Sequence, residues 1–532
     1  MTPTMRLTRR ALWGAAAGVF IAAPALSDAA AQSLTIGLAA PIPTVDPHFY
    51  NATPSKILSL HLFDRLIDQT PENRLAPALA LSWKPVSEEV WEFKLRPGVR
   101  FSNGDALSGE DVRFTVERAR SVPNSPGGFG GVVRQIASVE VMDAETLRIH
   151  TRGASPNLPN DLSNLAIISR RVGAAATTED YNSGKAAVGT GPYKLVSFTH
   201  GQGIELERND DWWGPKPEWR RVVLKFLPNA GGRSAALLSG SVDVIDVPSP
   251  NDLPRLRQDP GFSVFSHQGM RTIYLSLEQS SADPSPFVTD AAGQPLPSNP
   301  LRDLRVRRAL SVAISRDALA ERVMQQTASP TGQWLPPGAW SYNPAVTVPA
   351  FDPDQARRLL AEAGFPQGFR LTLHLPNDLR PTDAITAQAI AQMWTRVGVP
   401  TTVEAIPNAS HAARAARHEF AVNLLGWGSN SGEAGYALVN VLSTPDKETG
   451  AGAYNRGGYS NPRLDALTTK AMATLNDDAR EKTLQEAIEV AMTDVGIIPL
   501  YQLSNFWVTR KGLSYEASGH ERTNAMAVRS SR

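Results

Sequence analysis

Trp91-Glu92-Phe93-Lys94-Leu95 alternates large apolar side chains with charged ones and then meets Arg96-Pro97-Gly98. A period of two describes a strand with one wet face, and Pro-Gly stops it. Further on, Ser108 stands three positions before Asp111, so hydroxyl and carboxylate are placed to cap the first turn of a helix carrying Val112, Val116 and Ala119. Ile136 to Met142 and Thr146 to His150, around Asp143-Ala144-Glu145, read as a hairpin. Strand, turn, helix and hairpin within one segment predict a mixed α/β chain.

The same mixture continues outward in both directions. Toward the start, Leu34 to Leu38 alternates as a strand, Pro41 to Pro47 is a loop, and Thr53-Pro54 predicts the cap and first position of a helix over Lys56 to Leu66. Toward the end, Asp303 caps a helix with Val306, Ala309, Leu310, Ala313 and Ile314 on one face, leaving Arg305, Arg307 and Arg308 mostly on the solvated side. Asp352-Pro353 opens a helix that Gly364 closes in the left-handed region. Strands over Leu371 to Leu375, Thr402 to Ile406 and Phe420 to Leu425, with a helix over Ala384 to Val397, complete an α/β order.

Composition narrows the function. The 532 residues contain no cysteine, which removes disulfide scaffolds, thiol catalysis, cysteine-ligated metals and an acylated amino-terminal anchor. Arg6, Arg9 and Arg10 precede an apolar run from Ala11 to Ala25 and then Ala29-Ala30-Ala31, the order of a cleaved export signal over residues 1–31. The Arg9-Arg10 pair is compatible with twin-arginine export. Without that segment the formal charge changes from +1 to about −1, so the chain carries no basic footprint for nucleic acid. A soluble protein of the periplasm, large enough for two or three domains, is expected.

Catalytic patterns are missing. Gly127-Gly128-Phe129-Gly130-Gly131 has no lysine-serine or lysine-threonine pair to grip phosphate, and Gly184-Lys185 has no glycine five positions upstream. There is no His-Glu-x-x-His and no Gly-x-Ser-x-Gly, and His411 and His418, seven apart among alanines, read as surface histidines without a third ligand. A carboxylate pair of the glycosidase kind is available in any chain of this size and carries little weight. The expectation is no enzyme, no cofactor and no metal, with an exported hydrolase or a chaperone as the outlying alternatives.

Val45-Asp46-Pro47, Leu79-Ala80-Leu81-Ser82-Trp83, Phe93 to Phe101, Asn103-Gly104-Asp105-Ala106-Leu107 with Glu110-Asp111-Val112, Gly189-Thr190-Gly191-Pro192-Tyr193, Asn209 to Gly214, Asp303 to Leu310 and Gly426-Trp427 follow one another along the chain. In that order and spacing they resemble the bacterial extracellular solute-binding proteins of the dipeptide and oligopeptide ABC importers, family 5. The resemblance implies the bilobal periplasmic-binding-protein fold of the large peptide-binding type, with an extra domain inserted in the first lobe. Mapped here, the first lobe uses 32–75, 190–270 and 505–532, the inserted domain 76–189 and the second lobe 271–504. Gly189 to Tyr193 is expected at a crossing between lobes.

The implied role is capture of a peptide or peptide-like solute between the lobes and delivery to ABC permease and ATPase subunits in the inner membrane, by a monomer. A non-peptide cargo, such as an amino-acid conjugate, an opine-like compound or an oligosaccharide, is the alternative. Cleft candidates are Pro43, Thr44 and Tyr50 after the first strand, Arg271 and Tyr274 near the crossing, Arg380, and the loop holding Trp427, Gly428, Asn430 and Glu433. In the resembling dipeptide binders an aspartate in that loop pairs with the peptide ammonium, and Asn430 stands in its place here, with Glu433 as a replacement three residues on. Arg380 falls where those relatives clamp the peptide carboxylate.

Overall fold

The computed structural model describes residues 33–531 other than 381 and 430. The expected export segment and Asn430 therefore lie outside the described residues. Apolar cores organise the rest.

The first core surrounds the strand Ser33–Leu38, which runs parallel between Arg221–Phe226 and Val244–Asp246 and buries Leu34, Ile36 and Leu38. The following helix is Thr53–Leu62, one residue earlier at its start and four shorter at its end than the spacing predicts. Ala52 rather than Thr53 occupies the cap, without a side-chain hydrogen bond. Phe63 turns extended because the chain leaves here for another core, to which Leu66 and Ile67 belong.

The second core is that of a small domain. Its antiparallel sheet runs Ala80–Ser87, Val90–Leu95, Thr146–Thr151, Ile136–Val141, and Trp91, Phe93 and Leu95 face inward as the alternation predicts. The helix Gly109–Ala119 covers it, and Asp111 accepts the Ser108 amide at 2.9 Å and the Ser108 hydroxyl at 2.7 Å, the reciprocal cap expected from the sequence. Ala166, Ile168, Tyr181, Ala186 and Ala187 pack with the first core, whereas Leu66, Ile67, Leu165 and Ile167 pack with the second.

Gly189-Thr190-Gly191 lies against the end of the Thr53–Leu62 helix rather than between lobes. A β-carbon on Gly189 would stand 1.9 Å from the Leu62 carbonyl oxygen, and one on Gly191 2.5 Å from the Leu62 carbonyl carbon. These glycines permit a close backbone approach.

The third region, the second lobe, packs around Leu310, Leu373, Trp394 and Leu424 on one side of its sheet and around Trp334, Leu438 and Ile488 on the other. Two long antiparallel strands, Phe262–Leu277 and Ile498–Arg510, join it to the first lobe within one continuous sheet. Their register shifts between Gln268 and Thr272, a bulge at the crossing. Gly269 sits in that bulge, where a β-carbon would lie 2.5 Å from the Leu503 carbonyl oxygen.

Local signals hold in this lobe too. Asp303 accepts the Arg305 amide at 2.8 Å, Asp352 accepts the Gln355 amide at 2.7 Å, and Gly364 has φ +92°. Arg307 departs from expectation. It is buried and donates to the carbonyls of Leu301, Arg302, Asp494 and Val495, tying helix Leu304–Val312 to the segment that follows Asp477–Thr493.

Candidate functional site

The strand Val422–Gly428 pairs antiparallel with Phe262–Leu277, so that Arg271 lies opposite Gly428 and Ile273 opposite Gly426. Trp427 is therefore the sixth residue of a strand and not part of the loop after it. Directly opposed residues share a face. On one face the two glycines leave room that arginines fill: a β-carbon on Gly426 would meet Arg380 Nη1 at 3.0 Å, and one on Gly428 would meet Arg271 Nη2 at 3.1 Å. On the other face Trp427, half-buried, has ring centroids of Tyr436 at 5.4 Å and Tyr454 at 5.0 Å. Both tyrosines are exposed, and the buried Trp427 Nε1 has no hydrogen-bond partner among the described residues.

Both arginines already hold a carboxylate. Arg271 donates to Glu521 through Nε at 2.7 Å and Nη2 at 3.0 Å, joining the second lobe to the chain's return into the first. Burial would raise the Glu521 pKa, but the Arg271 charge and hydrogen bond hold it below the ordinary carboxylate value. Arg380 forms an ion pair with Asp383 at 2.7 Å, and burial raises the Asp383 pKa against that attraction.

The segment after Gly428 meets the first lobe and the small domain. A β-carbon on Gly432 would stand 2.9 Å from the Asn73 carbonyl oxygen. Glu433 is 1 % exposed and fully engaged: it accepts from Arg480 Nη2 at 2.9 Å, from the Gly435 amide at 2.8 Å, from the Tyr436 amide at 3.1 Å and from Asn157 Nδ2 at 3.3 Å. Arg480 Nη2 also donates to Asn157 Oδ1. Glu433 is thus a structural anion at the junction and does not present a free carboxylate to a solute.

Asn157 precedes the short helix Leu158–Leu162, and the Asp161 amide donates to its carbonyl at 2.9 Å, so Asp161 lies one turn on from a residue that touches the second lobe. Burial, then the nearby Glu433 charge, raises the Asp161 pKa to about 8 despite Arg480 and Arg134. An acid whose folded pKa lies above its unfolded value of 3.8 favours the folded state only while protonated. That contribution is present below about pH 4 and is lost as pH rises toward 8. Asp161→Asn is accordingly expected to raise the thermal midpoint at pH 8 and leave it unchanged at pH 3.5, read by melting curves across that range.

The remaining candidates sit elsewhere. Thr44 is buried and donates to Asn182 Oδ1 at 2.7 Å, and Tyr274 is buried with its ring 5.1 Å from that of Trp334. Pro43 is half-buried, and Tyr50 is exposed beside Gly127 of the small domain. His411 is not at the surface: it is buried and stacked on Phe420 at 5.3 Å. Asn157, Asp161, Arg480 and Glu521 escaped the sequence reading, because each acquires its role from a partner far along the chain. Two open depressions, about 510 and 350 Å³, lie on the second lobe around Asp494 and are lined by none of these residues. Among the described residues no group of three or more His, Asp or Glu is placed to hold a metal, and no helix is long and apolar enough to cross a membrane.

The model of bacterial extracellular solute-binding proteins, family 5, matches residues 74–449. The chain belongs to that family. It is a solute-binding transport component and not an enzyme. Among its relatives, it is 27% identical to the dipeptide-binding protein of Escherichia coli over 84% of this chain and 84% of the other. It is 26% identical to heme-binding protein A of Haemophilus influenzae, over 85% of this chain and 82% of that one. The structure of HbpA2 from Haemophilus parasuis superposes with a TM-score of 0.80 at 23% identity, covering 94% of this chain and all of the other, which establishes the bilobal α/β fold.

Proposed function

We propose that this family-5 protein captures a peptide or peptide-like solute between its lobes in the periplasm and delivers it, as a monomer, to the permease and ATPase subunits of an ABC importer. The observation that supports this reading is the Gly426-Trp427-Gly428 strand end, with guanidinium groups over its glycines on one face and an aromatic trio on the other, at the place where the lobes meet. Flat aromatic walls with a few converging polar groups are what a small organic ligand needs. A dipeptide-binding protein and a heme-binding protein among the relatives show that the scaffold serves chemically different cargo.

The cargo we favour need not carry a free α-ammonium. Glu433 is already neutralised by Arg480. Position 430 is an asparagine, whose amide accepts a hydrogen bond but supplies no charge. Calorimetric titration with unmodified dipeptides and their N-acetylated forms tests this. Free-amine forms binding at least about a hundredfold tighter, some 2.7 kcal/mol, would sink it.

Trp427→Ala is expected to weaken solute binding about tenfold or more while lowering the thermal midpoint by only a few degrees. Equal losses of affinity and stability would instead assign Trp427 to the core behind it.

A further inference from the structure

The arginines facing the glycine strand are each balanced by an acid, whereas on the first-lobe side of the junction positive charge is left over. Lys56, in the first helix after the opening strand, donates from Nζ to Asn164 Oδ1 at 3.1 Å, and Arg522 Nη2 donates to the same oxygen at 2.8 Å. Two cations thus share one neutral acceptor. Arg65 stands close enough to both for its charge to disfavour theirs, and its own ion pair is with Asp68 at 2.5 Å. Lys56, Arg65 and Arg522 are all buried, and the acids whose charge reaches this group among the described residues are Asp68, beside Arg65 and Arg522, and Asp64, beside Arg65. His520, beside them, is held neutral, its pKa lowered to about 3 by burial and then by Arg522.

Donors are also left without acceptors. Arg65 Nε and Ser55 Oγ are buried with no hydrogen-bond partner among the described residues, and the helix that carries Ser55 and Lys56 has Ala52 at its cap position, which offers no side-chain cap. Surplus buried positive charge, orphaned donors and an uncapped helix start are costly unless an anion completes them. The location fits a solute. Asn164 follows the helix whose flanking Asn157 touches the second lobe, and Arg522 follows Glu521, which is paired with Arg271.

We propose that Lys56, Arg522 and Arg65 form an anion subsite on the first-lobe side of the junction, taking a carboxylate or phosphate group of the transported solute. The inference rests on the solute-binding reading and narrows its cargo to molecules with an acidic group at that end. Burial, then the charges of Arg522 and Arg65, lowers the Lys56 pKa to about 7. An arriving anion raises it again, so binding near neutral pH draws a proton from solvent.

The test is calorimetry on the exported full-length protein at pH 7.5 in two buffers of different ionisation enthalpy. The probes are succinate, inorganic phosphate, and alanyl-alanine beside its C-terminal amide. Saturable binding of succinate or phosphate with proton uptake is expected, and which of the two binds distinguishes carboxylate from phosphate chemistry. Lys56→Met is expected to abolish the uptake, and both Lys56→Met and Arg522→Met to weaken the anion about tenfold or more, whereas exposed Lys84→Met leaves it unchanged. Should Arg522→Met fail to fold, Lys56→Met carries the test, because it removes a like-charge contact. Absence of binding by both anions, or binding indifferent to Lys56→Met, overturns the subsite. Dipeptide acid and amide binding equally would overturn it while leaving peptide capture intact. Anion binding with uptake but no peptide binding would overturn peptide capture and keep the subsite.

Discussion

Arg480→Met is expected to cost about 3–5 kcal/mol of folding free energy, the usual consequence of leaving one partner of a buried ion pair without its counter-charge. Glu433 and Arg480 are 1 % and 2 % exposed, and among the described residues Glu433 has no second cation within hydrogen-bond distance to replace the one lost. The companion variant Arg480→Met/Glu433→Gln should recover most of the loss, since the stranded charge goes with its partner. Denaturant unfolding of wild type, single and double variants measures both. If the single variant loses under about 1 kcal/mol, the pair is solvated and does not fasten the junction. Asn157 extends the argument from stability to motion. Among the described residues it is the polar side chain of the small domain that reaches this pair, so Asn157→Leu should favour the open arrangement, visible as a larger radius of gyration in small-angle scattering.

Asp46→Ala should be comparably damaging, by about 3–5 kcal/mol. The carboxylate is inaccessible to solvent and receives Arg118 Nη1 at 2.9 Å, Arg118 Nη2 at 2.7 Å, the Thr178 hydroxyl at 2.9 Å and the His48 amide at 3.1 Å. It fastens the loop after the opening strand to helix Gly109–Ala119 of the small domain. Burial pushes its pKa up, yet the Arg118 hydrogen bonds and charge outweigh that and hold it below 3.8. A depressed folded pKa means stability that is complete above the unfolded value and is lost as pH falls through the folded one. His48 acts in the same direction: burial, then Arg118, lowers its pKa from 6.5 to about 4, so the unfolded chain takes up a proton that the folded one refuses. The thermal midpoint should therefore decline from pH 6.5 downward and fall further below pH 4. In Asp46→Ala the second part of that decline should become shallower, the rest being carried by other carboxylates with depressed pKa values such as Glu521.

Features decided within a few residues were legible in the sequence. Ser108 with Asp111, Asp303, Asp352-Pro353 and Gly364 each do locally what their spacing predicts. Element order and family could be read for the same reason, since strand alternation and turn residues keep their spacing. Which side chains face the junction could not. Tyr274 and Arg271 lie on one strand, but pairing with Val422–Gly428 on one side and Ile498–Arg510 on the other sends Tyr274 into a core and leaves Arg271 at the meeting of the lobes. Thr44 and Glu433 have the chemistry of ligand contacts, yet Asn182 and Arg480 claim them. Those partners lie 138 and 47 positions away in the chain. Arg307 looked solvated because helical spacing does not show that distant carbonyls will surround its guanidinium.

The bulge in Phe262–Leu277 has a consequence for how the lobes can turn. Gly269 to Arg271 have no partner on the return strand, while Phe262 to Gln268 before them are paired residue by residue and pairing resumes at Thr272, with one further register shift between Ile273 and Tyr274. Rotation of one lobe against the other can thus be absorbed across these few peptide units, without breaking either ladder. Amide hydrogen exchange should trace this as a narrow fast segment between two slow ones on a single strand, and a solute that holds the lobes together should slow that segment most.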